Sequence, residues 1–265
     1  MCSTCGCDGD GHVISHLGQQ DQAGGQLHSH THGHGHHDHT HSLAKSHEHH
    51  PGSRVVQVEK DVLYENNLLA ERNRGYFEAK EILAINLVSS PGSGKTTLLE
   101  RTLTDLQGDA DFFVIEGDQQ TTLDADRIHA TGAKVVQINT NKGCHLDAHM
   151  VMHAMQGLKL SNNAVLFIEN VGNLVCPAMF DLGEQERVVI MSVTEGDDKP
   201  LKYPDMFHSS SLCIINKTDL LPYVPFDIEK AAANAKRVNP SLEIIEVSCT
   251  TGEGLSQWYE WLQSK

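Results

Sequence analysis

Residues 89–97 read Ser-Ser-Pro-Gly-Ser-Gly-Lys-Thr-Thr and follow directly on the apolar run 82–88. A strand, a tight glycine turn and a helix opening at Lys95 make a phosphate-binding loop. Its backbone N–H groups aim at phosphate oxygens, and the positive helix N-terminus adds to the attraction. In this reading Gly92, Ser93, Gly94 and Thr97 line the nucleotide, Lys95 reaches the β- and γ-phosphates, and the Thr96 hydroxyl ligates Mg²⁺. Ser89 stands where such loops usually carry their first glycine.

The base is chosen further on. The run 212–215 ends in Asn216-Lys217-Thr218-Asp219. In an Asn-Lys-x-Asp loop the carboxylate accepts from guanine N1–H and the exocyclic amine. Adenine offers no such donor pair, so it would leave the charge unpaired. Lys217 can lie along the base, and Asn216 can tie this loop to the phosphate loop. Ser248 and Cys249, after the run 242–247, fit the last guanine-contacting loop. GTP and GDP are therefore the expected ligands.

Two acidic segments close apolar runs on the same side. Glu116-Gly117-Asp118 follows 112–115, and Glu169-Asn170-Val171-Gly172 follows 164–168. Carboxylates there can hold Mg²⁺ directly or through water. Asp118 is expected nearest the attacking water and Glu169 nearest Mg²⁺, both counted with Lys95 as catalytic. The Gly172 N–H is expected to touch the γ-phosphate. No internal arginine finger is evident, so turnover should be slow, on the order of 10⁻⁴–10⁻² s⁻¹.

Soft donors occur in two places. Cys2, Cys5 and Cys7 form Cys-x-x-Cys-x-Cys, and with the Cys2 amine they offer a planar N/S set suited to Ni²⁺. A broken tract of 11 histidines runs from His28 to His50. Imidazole and thiolate point to Ni²⁺, Zn²⁺ or Cu²⁺ and away from Ca²⁺ or Mg²⁺. The second place is internal: Cys144 and His145 at an expected helix start, with Cys176 just before Pro177. Three donors leave a tetrahedral site one short, to be met by water, another side chain or a second subunit. His149 is a conceivable extra ligand but reads more simply as a solvated helix histidine. Inert buried cysteine is the alternative for Cys144 and Cys176.

These groups need a scaffold. The chain has 265 residues and a formal net charge of −15, which argues against nucleic-acid or anionic-membrane binding. No signal peptide or spanning run is visible, and seven cysteines suit a reducing cytoplasm. Residues 1–52 are too polar to bury a core and are expected to be a disordered, metal-binding tail. Residues 53–81 show helical apolar spacing, expected as one or two amphipathic helices against the main domain. From 82 to 265, seven apolar runs alternate with helical patterns such as 95–106, 227–238 and 255–263. That predicts an α/β P-loop NTPase domain: a mostly parallel sheet with helices on both faces and ligand at the strands' carboxyl ends.

Taken together, the Cys-x-x-Cys-x-Cys head, the histidine-rich insert, Ser-Ser-Pro-Gly-Ser-Gly-Lys-Thr-Thr, Glu-Gly-Asp-Gln-Gln-Thr, Cys144-His145, Glu-Asn-Val-Gly-Asn-Leu-Val-Cys-Pro and Asn-Lys-Thr-Asp resemble the hydrogenase nickel-incorporation GTPases, the HypB family. The resemblance covers essentially the whole chain. It implies a signal-recognition-particle-like (SIMIBI) GTPase that forms a homodimer with GTP. It further implies delivery of Ni²⁺ to the [NiFe]-hydrogenase large subunit alongside a HypA-type nickel protein. In that family the internal Cys, His and Cys positions bind Ni²⁺ or Zn²⁺ near the dimer interface. A urease-accessory nickel GTPase and a nickel store with a GTP-controlled dimer switch are the alternatives.

Overall fold

Strands buried on both faces need apolar residues at nearly every position, and this is why the runs in this chain are continuous rather than alternating. The structure, a computed structural model, describes residues 13–16, 51–119 and 122–265, with side chains from Lys60 onward. Its strands are β1 (Val13–His16), β2 (Leu83–Ser89), β3 (Phe112–Asp118), β4 (Lys134–Asn139), β5 (Val165–Glu169), β6 (Glu186–Ser192), β7 (Leu212–Asn216) and β8 (Glu243–Glu246). They form one sheet in the order β1-β4-β3-β5-β2-β6-β7-β8. Every pairing from β2 to β8 is parallel, and β1 joins the β4 edge antiparallel.

The helices are α1 (Pro51–Ala79), α2 (Lys95–Asp105), α3 (Leu123–Ala130), α4 (Ala148–Leu158), α5 (Cys176–Met179), α6 (Lys199–Lys202), α7 (Pro204–His208), α8 (Ile228–Val238) and α9 (Leu255–Gln263). Alternate residues of one strand feed opposite layers. In β2, Ile85 and Leu87 face the cluster that holds Leu98, Leu103, Ile128, Trp258 and Trp261 of α2, α3 and α9. Ala84 faces the opposite layer, packed by Phe77 of α1 and Val151 and Met155 of α4, while Val88 meets Phe207 and Ala235 of α7 and α8. The α/β, P-loop-type, doubly covered sheet is thus as expected.

Three details differ from the sequence reading. Within the stretch expected to be unstructured, Val13–His16 forms a strand. Two adjacent β-branched residues there can use the N–H and C=O groups that the β4 edge would otherwise leave open. The amphipathic segment is a single helix opening at Pro51, a residue suited to a first helical turn. Finally, β3 runs on to Asp118, so Glu116 lies inside the sheet and not in a following loop. Cys2, Cys5, Cys7 and His28 to His50 lie outside the described residues, as do Gln120 and Thr121.

The chain leaves the sheet's middle at β2, whose neighbours β5 and β6 lie on opposite sides. Strand order reverses there, and the crevice beyond the carboxyl ends is where α/β sheets bind ligand. The phosphate loop opens into it. Among the described residues no helix is long and apolar enough to cross a membrane.

Candidate functional site: a phosphate loop joined to a thiol–imidazole cluster

A cleft of about 510 Å³ lies over the carboxyl ends of β2, β3 and β5, lined by residues 89–97 together with Glu116, Asp118, Glu169 and Gly172. Gly92 and Gly94 have φ of 77° and 94°, a left-handed backbone that side chains disfavour. A Cβ on Gly94 would also stand 2.4 Å from Asn216 Nδ2. Only glycine lets the base loop come this close. From behind, Ser93 Oγ lies 2.7 Å from Glu195 Oε1, and Lys199 pairs with Glu195 and donates to Ser90 Oγ. Glu195 and Lys199 therefore brace the loop, and the sequence reading passed over both.

Glu169 is 1% exposed. Its Oε1 accepts from Lys95 Nζ at 3.0 Å and from the Thr96 hydroxyl at 2.6 Å. Register places Glu116 on β3 directly beside Glu169 on β5. The Oε2 atoms of both carboxyls are buried without a hydrogen-bond partner. Burial first, then the neighbouring Glu169 and Asp118 charges, push the Glu116 carboxyl up to about 9, against the opposing charge of Lys95. Buried oxygens left unmatched beside a threonine hydroxyl and half-exposed Asp118 suit a hard, oxygen-seeking cation, and Mg²⁺ fits this donor set. Glu116 was missed because a strand-interior carboxyl looks like a solvated edge residue until its neighbour is known. Arg127 of α3 also reaches the cleft rim, held by Glu100, Asp124 and Thr97.

Asn216, Lys217, Asp219, Ser248 and Cys249, expected to contact the base, lie on loops bonded to one another and to the phosphate loop. Asn216 Nδ2 donates to Ser93 O at 2.9 Å, and Lys217 Nζ donates to Gly92 O at 2.6 Å. Asp219 Oδ1 accepts from Ser248 Oγ at 2.6 Å, and the Cys249 N–H points at Asn216 Oδ1 at 3.4 Å. Burial drives the Cys249 thiol up to about 11 and Cys213 to about 12, so both stay protonated and serve as packing groups.

The second site adjoins the first. The ligand atoms of Cys144, His145 and Cys176 all lie within 4.8 Å of one another. The two sulfurs are 2.9 Å apart, longer than the ~2.05 Å of a disulfide, and Cys144 Sγ is 3.7 Å from His145 Nδ1. Cys144 and His145 sit in the loop before α4, whose N-cap is Asp147, rather than at the helix start expected. His145 is buried against the Phe180 ring, 3.9 Å between centroids, and that burial lowers its pKa despite Asp147. A neutral imidazole keeps a lone pair available, so the donors suit a borderline dication such as Ni²⁺ or Zn²⁺.

Both carboxylate-bearing strand ends are bonded to this cluster. Gln119, next to Asp118, donates to Gly143 O at 3.2 Å, and Leu146 packs where a Cβ on Gly117 would be. From β5, Asn170 Oδ1 accepts the Leu146 N–H at 3.1 Å, and Asn173 Nδ2 donates to Cys144 O at 3.3 Å. Gly172 lies against the phosphate loop: a Cβ there would be 3.1 Å from Pro91. The segment from Glu169 to Cys176 thus touches Lys95 at one end and Cys144 at the other.

Glu116 gives a pH signature. A carboxyl held at about 9 keeps its proton in the fold after the unfolded chain has released it near 4.5. Its contribution to stability is full below pH ~4.5, declines as pH rises and is gone above ~9. Glu116→Gln should therefore flatten the loss of stability of the nucleotide-free protein between pH 5 and 8.5. The slope should ease by up to about 1.4 kcal/mol per pH unit, read by denaturant unfolding. Parallel profiles for the two proteins would show that Glu116 ionises normally.

Residues 83–246 match the CobW/HypB/UreG nucleotide-binding domain family. The hydrogenase maturation factor HypB of Escherichia coli (strain K12) is 59% identical over 220 residues, 82% of this chain and 76% of that protein. A probable hydrogenase maturation factor HypB of Methanocaldococcus jannaschii is 43% identical, over 79% of this chain and 95% of that one. Among solved structures, HypB from Helicobacter pylori in complex with nickel aligns with a TM-score of 0.73 at 38% identity, covering 76% of this chain and 94% of its own. HypB from Archaeoglobus fulgidus aligns at 0.71 and 42% identity, over 76% and 98%. A phosphate loop at the end of β2 and a similarity that spans most of the described domain lead to one assignment: the chain belongs to the HypB family of hydrogenase maturation factors.

Proposed function

We propose that this chain is a cytoplasmic GTPase that hydrolyses GTP slowly to GDP and phosphate and uses the cycle to deliver Ni²⁺ to the [NiFe]-hydrogenase large subunit. The observation that carries this reading is the bonded path from Lys95 through Glu169, Gly172 and Asn173 to Cys144 and Cys176. Nickel is the cargo. Cys144, His145 and Cys176 would hold it, and Zn²⁺ is the competing ion for the same donors.

Lys95 and the glycine-turn N–H groups bind and orient the β- and γ-phosphates, and selection of guanine falls to Asp219, steadied by Ser248. In hydrolysis a water oxygen bonds to the γ-phosphorus while the bond from that phosphorus to the β,γ-bridging oxygen breaks; the water's proton passes to a γ-phosphate oxygen, so GDP and inorganic phosphate leave. Asp118 is the side chain assigned to orient that water. Thr96, Glu169 and Asp118, joined by Glu116 beside Glu169, would hold Mg²⁺, which would supply charge neutralisation at the phosphates. Losing the γ-phosphate removes a partner of Lys95 and Gly172, and the freed segment shifts Cys176 relative to Cys144.

With three internal donors, a second copy of the chain can complete the coordination, which suits GTP-dependent homodimerisation. A HypA-type nickel protein is the proposed exchange partner. The net charge of −15 supports a role without nucleic acid or membrane. In the sequence, Cys2, Cys5, Cys7 and the histidine tract add a second nickel-holding capacity.

Two variants test this. Lys95→Ala should abolish hydrogenase maturation at ordinary nickel supply while Ni²⁺ binding persists; unimpaired maturation with no GTP bound would reduce the protein to a nickel store. Asp219→Asn should weaken GTP about 10- to 100-fold, the worth of one charged hydrogen bond, and favour xanthosine triphosphate. An unchanged preference in competition binding would remove Asp219 from the base site.

A further inference from the structure

Among the described residues, the basic side chains that line the nucleotide cleft are Lys95, Lys217 and Arg127. Lys95 belongs to the phosphate loop and Lys217 to the base loop, whereas Arg127 comes from α3. Its guanidinium leans across to α2. Nη2 lies 2.5 Å from Glu100 Oε2 and 3.3 Å from Thr97 Oγ1, and Nη1 lies 3.3 Å from Asp124 Oδ1. The Arg127 side chain is 41% exposed, and those of Glu100 and Asp124 are 38% and 42% exposed. Ion pairs this wet contribute about 0–1 kcal/mol each, so Arg127 can exchange them for a stronger anion at little cost.

We propose that Arg127 binds the α-phosphate of the guanine nucleotide, in its GTP and GDP forms alike. Position along α2 decides which phosphate it takes. Lys95 serves the β- and γ-phosphates and the Thr96 hydroxyl the cation. Thr97 comes next on the same first turn, where backbone N–H groups have no partner within the helix, and it falls to the α-phosphate. Arg127 stands beside Thr97. A planar guanidinium fork fits two phosphate oxygens at once, a match a lysine lacks. Charge argues the same way. Glu116, Asp118, Asp124 and Glu169 all line the cleft, so an entering polyphosphate meets a wall of acids. Mg²⁺ would offset this repulsion at the β- and γ-phosphates, and Arg127 offsets it at the α-phosphate. The contact also ties α3, which follows β3 and Asp118 in the chain, to the bound nucleotide. The assignment rests on the guanine-nucleotide reading of the cleft and gives Arg127 a part in binding, not in transfer of the γ-phosphoryl group.

The test measures GDP and GTP affinity of the full-length protein by competition against a fluorescent guanine nucleotide, and kcat from phosphate release. Arg127→Ala should weaken GDP and GTP by the same factor, about 10- to 100-fold, with kcat at saturating GTP held within about twofold. Arg127→Lys should recover part of that loss. Glu100→Gln, which removes the acid nearest Arg127, should tighten both nucleotides about two- to fivefold, a gain that a folding defect does not produce. The gain should vanish in the double variant with Arg127→Ala. Unchanged GDP affinity in Arg127→Ala, or a gain from Glu100→Gln that persists without Arg127, overturns the assignment. So does a kcat loss of about tenfold or more with GDP affinity intact, which would move Arg127 to the γ-phosphate. Lys95→Ala, measured alongside, separates the two levels. If it binds both nucleotides like the unmodified protein, the phosphate-loop reading itself fails; if it loses them while Arg127→Ala does not, only the role of Arg127 is wrong.

Discussion

Glu169 sits at the end of the central parallel strand β5, almost wholly out of water, and one of its oxygens takes hydrogen bonds from both Lys95 and Thr96. A buried carboxylate needs such partners, since unpaired charge in an apolar sheet is costly. The same two donors are those a phosphate loop offers to a nucleotide and its cation. A bound phosphate and its cation would therefore draw on the same small set of groups as Glu169. Glu169 begins the segment that ends at Cys176.

The sheet makes this sharing unavoidable. Parallel register sets Glu116 beside Glu169, and Asp118 follows two residues on. Three acids around one lysine are poorly balanced until a cation joins them, and this repulsion adds to burial in making Glu116 hold its proton. On the far side of the strand ends the chemistry changes from hard oxygen to soft sulfur and nitrogen. The step from one to the other is only as long as Gln119 to Gly143, or Asn173 to Cys144. Oxygen donors on one side suit a hard cation, and sulfur and imidazole on the other suit a borderline one.

Much of this was legible in the residues. The phosphate loop and the Asn216–Asp219 loop each combine residue type with a strand end, and strand ends follow from apolar runs; the Cys144–His145–Cys176 grouping rested on donor type alone. What escaped was lateral. Glu116 acquires its chemistry only through its cross-strand neighbour, and Glu195 and Lys199 acquire theirs only because β6 lies next to β2. Strand order is set by crossovers between distant segments, which a local pattern does not record. Residues 13–16 escaped for a similar reason, since four residues become a strand only where an edge awaits them. Asn170 looked like part of a glycine-containing loop, yet it is fully buried and accepts the Leu146 N–H.

In the proposed cycle the nucleotide state sets the affinity of the internal cluster for nickel. The direct measurement is a Ni²⁺ titration of full-length protein with Cys2, Cys5 and Cys7 replaced by serine, following thiolate-to-nickel charge-transfer absorption with GDP and with a non-hydrolysable GTP analogue. Binding should be weaker with GDP by about tenfold or more, a coupling of at least ~1.4 kcal/mol between the sites. Identical titration curves in the two states would contradict it.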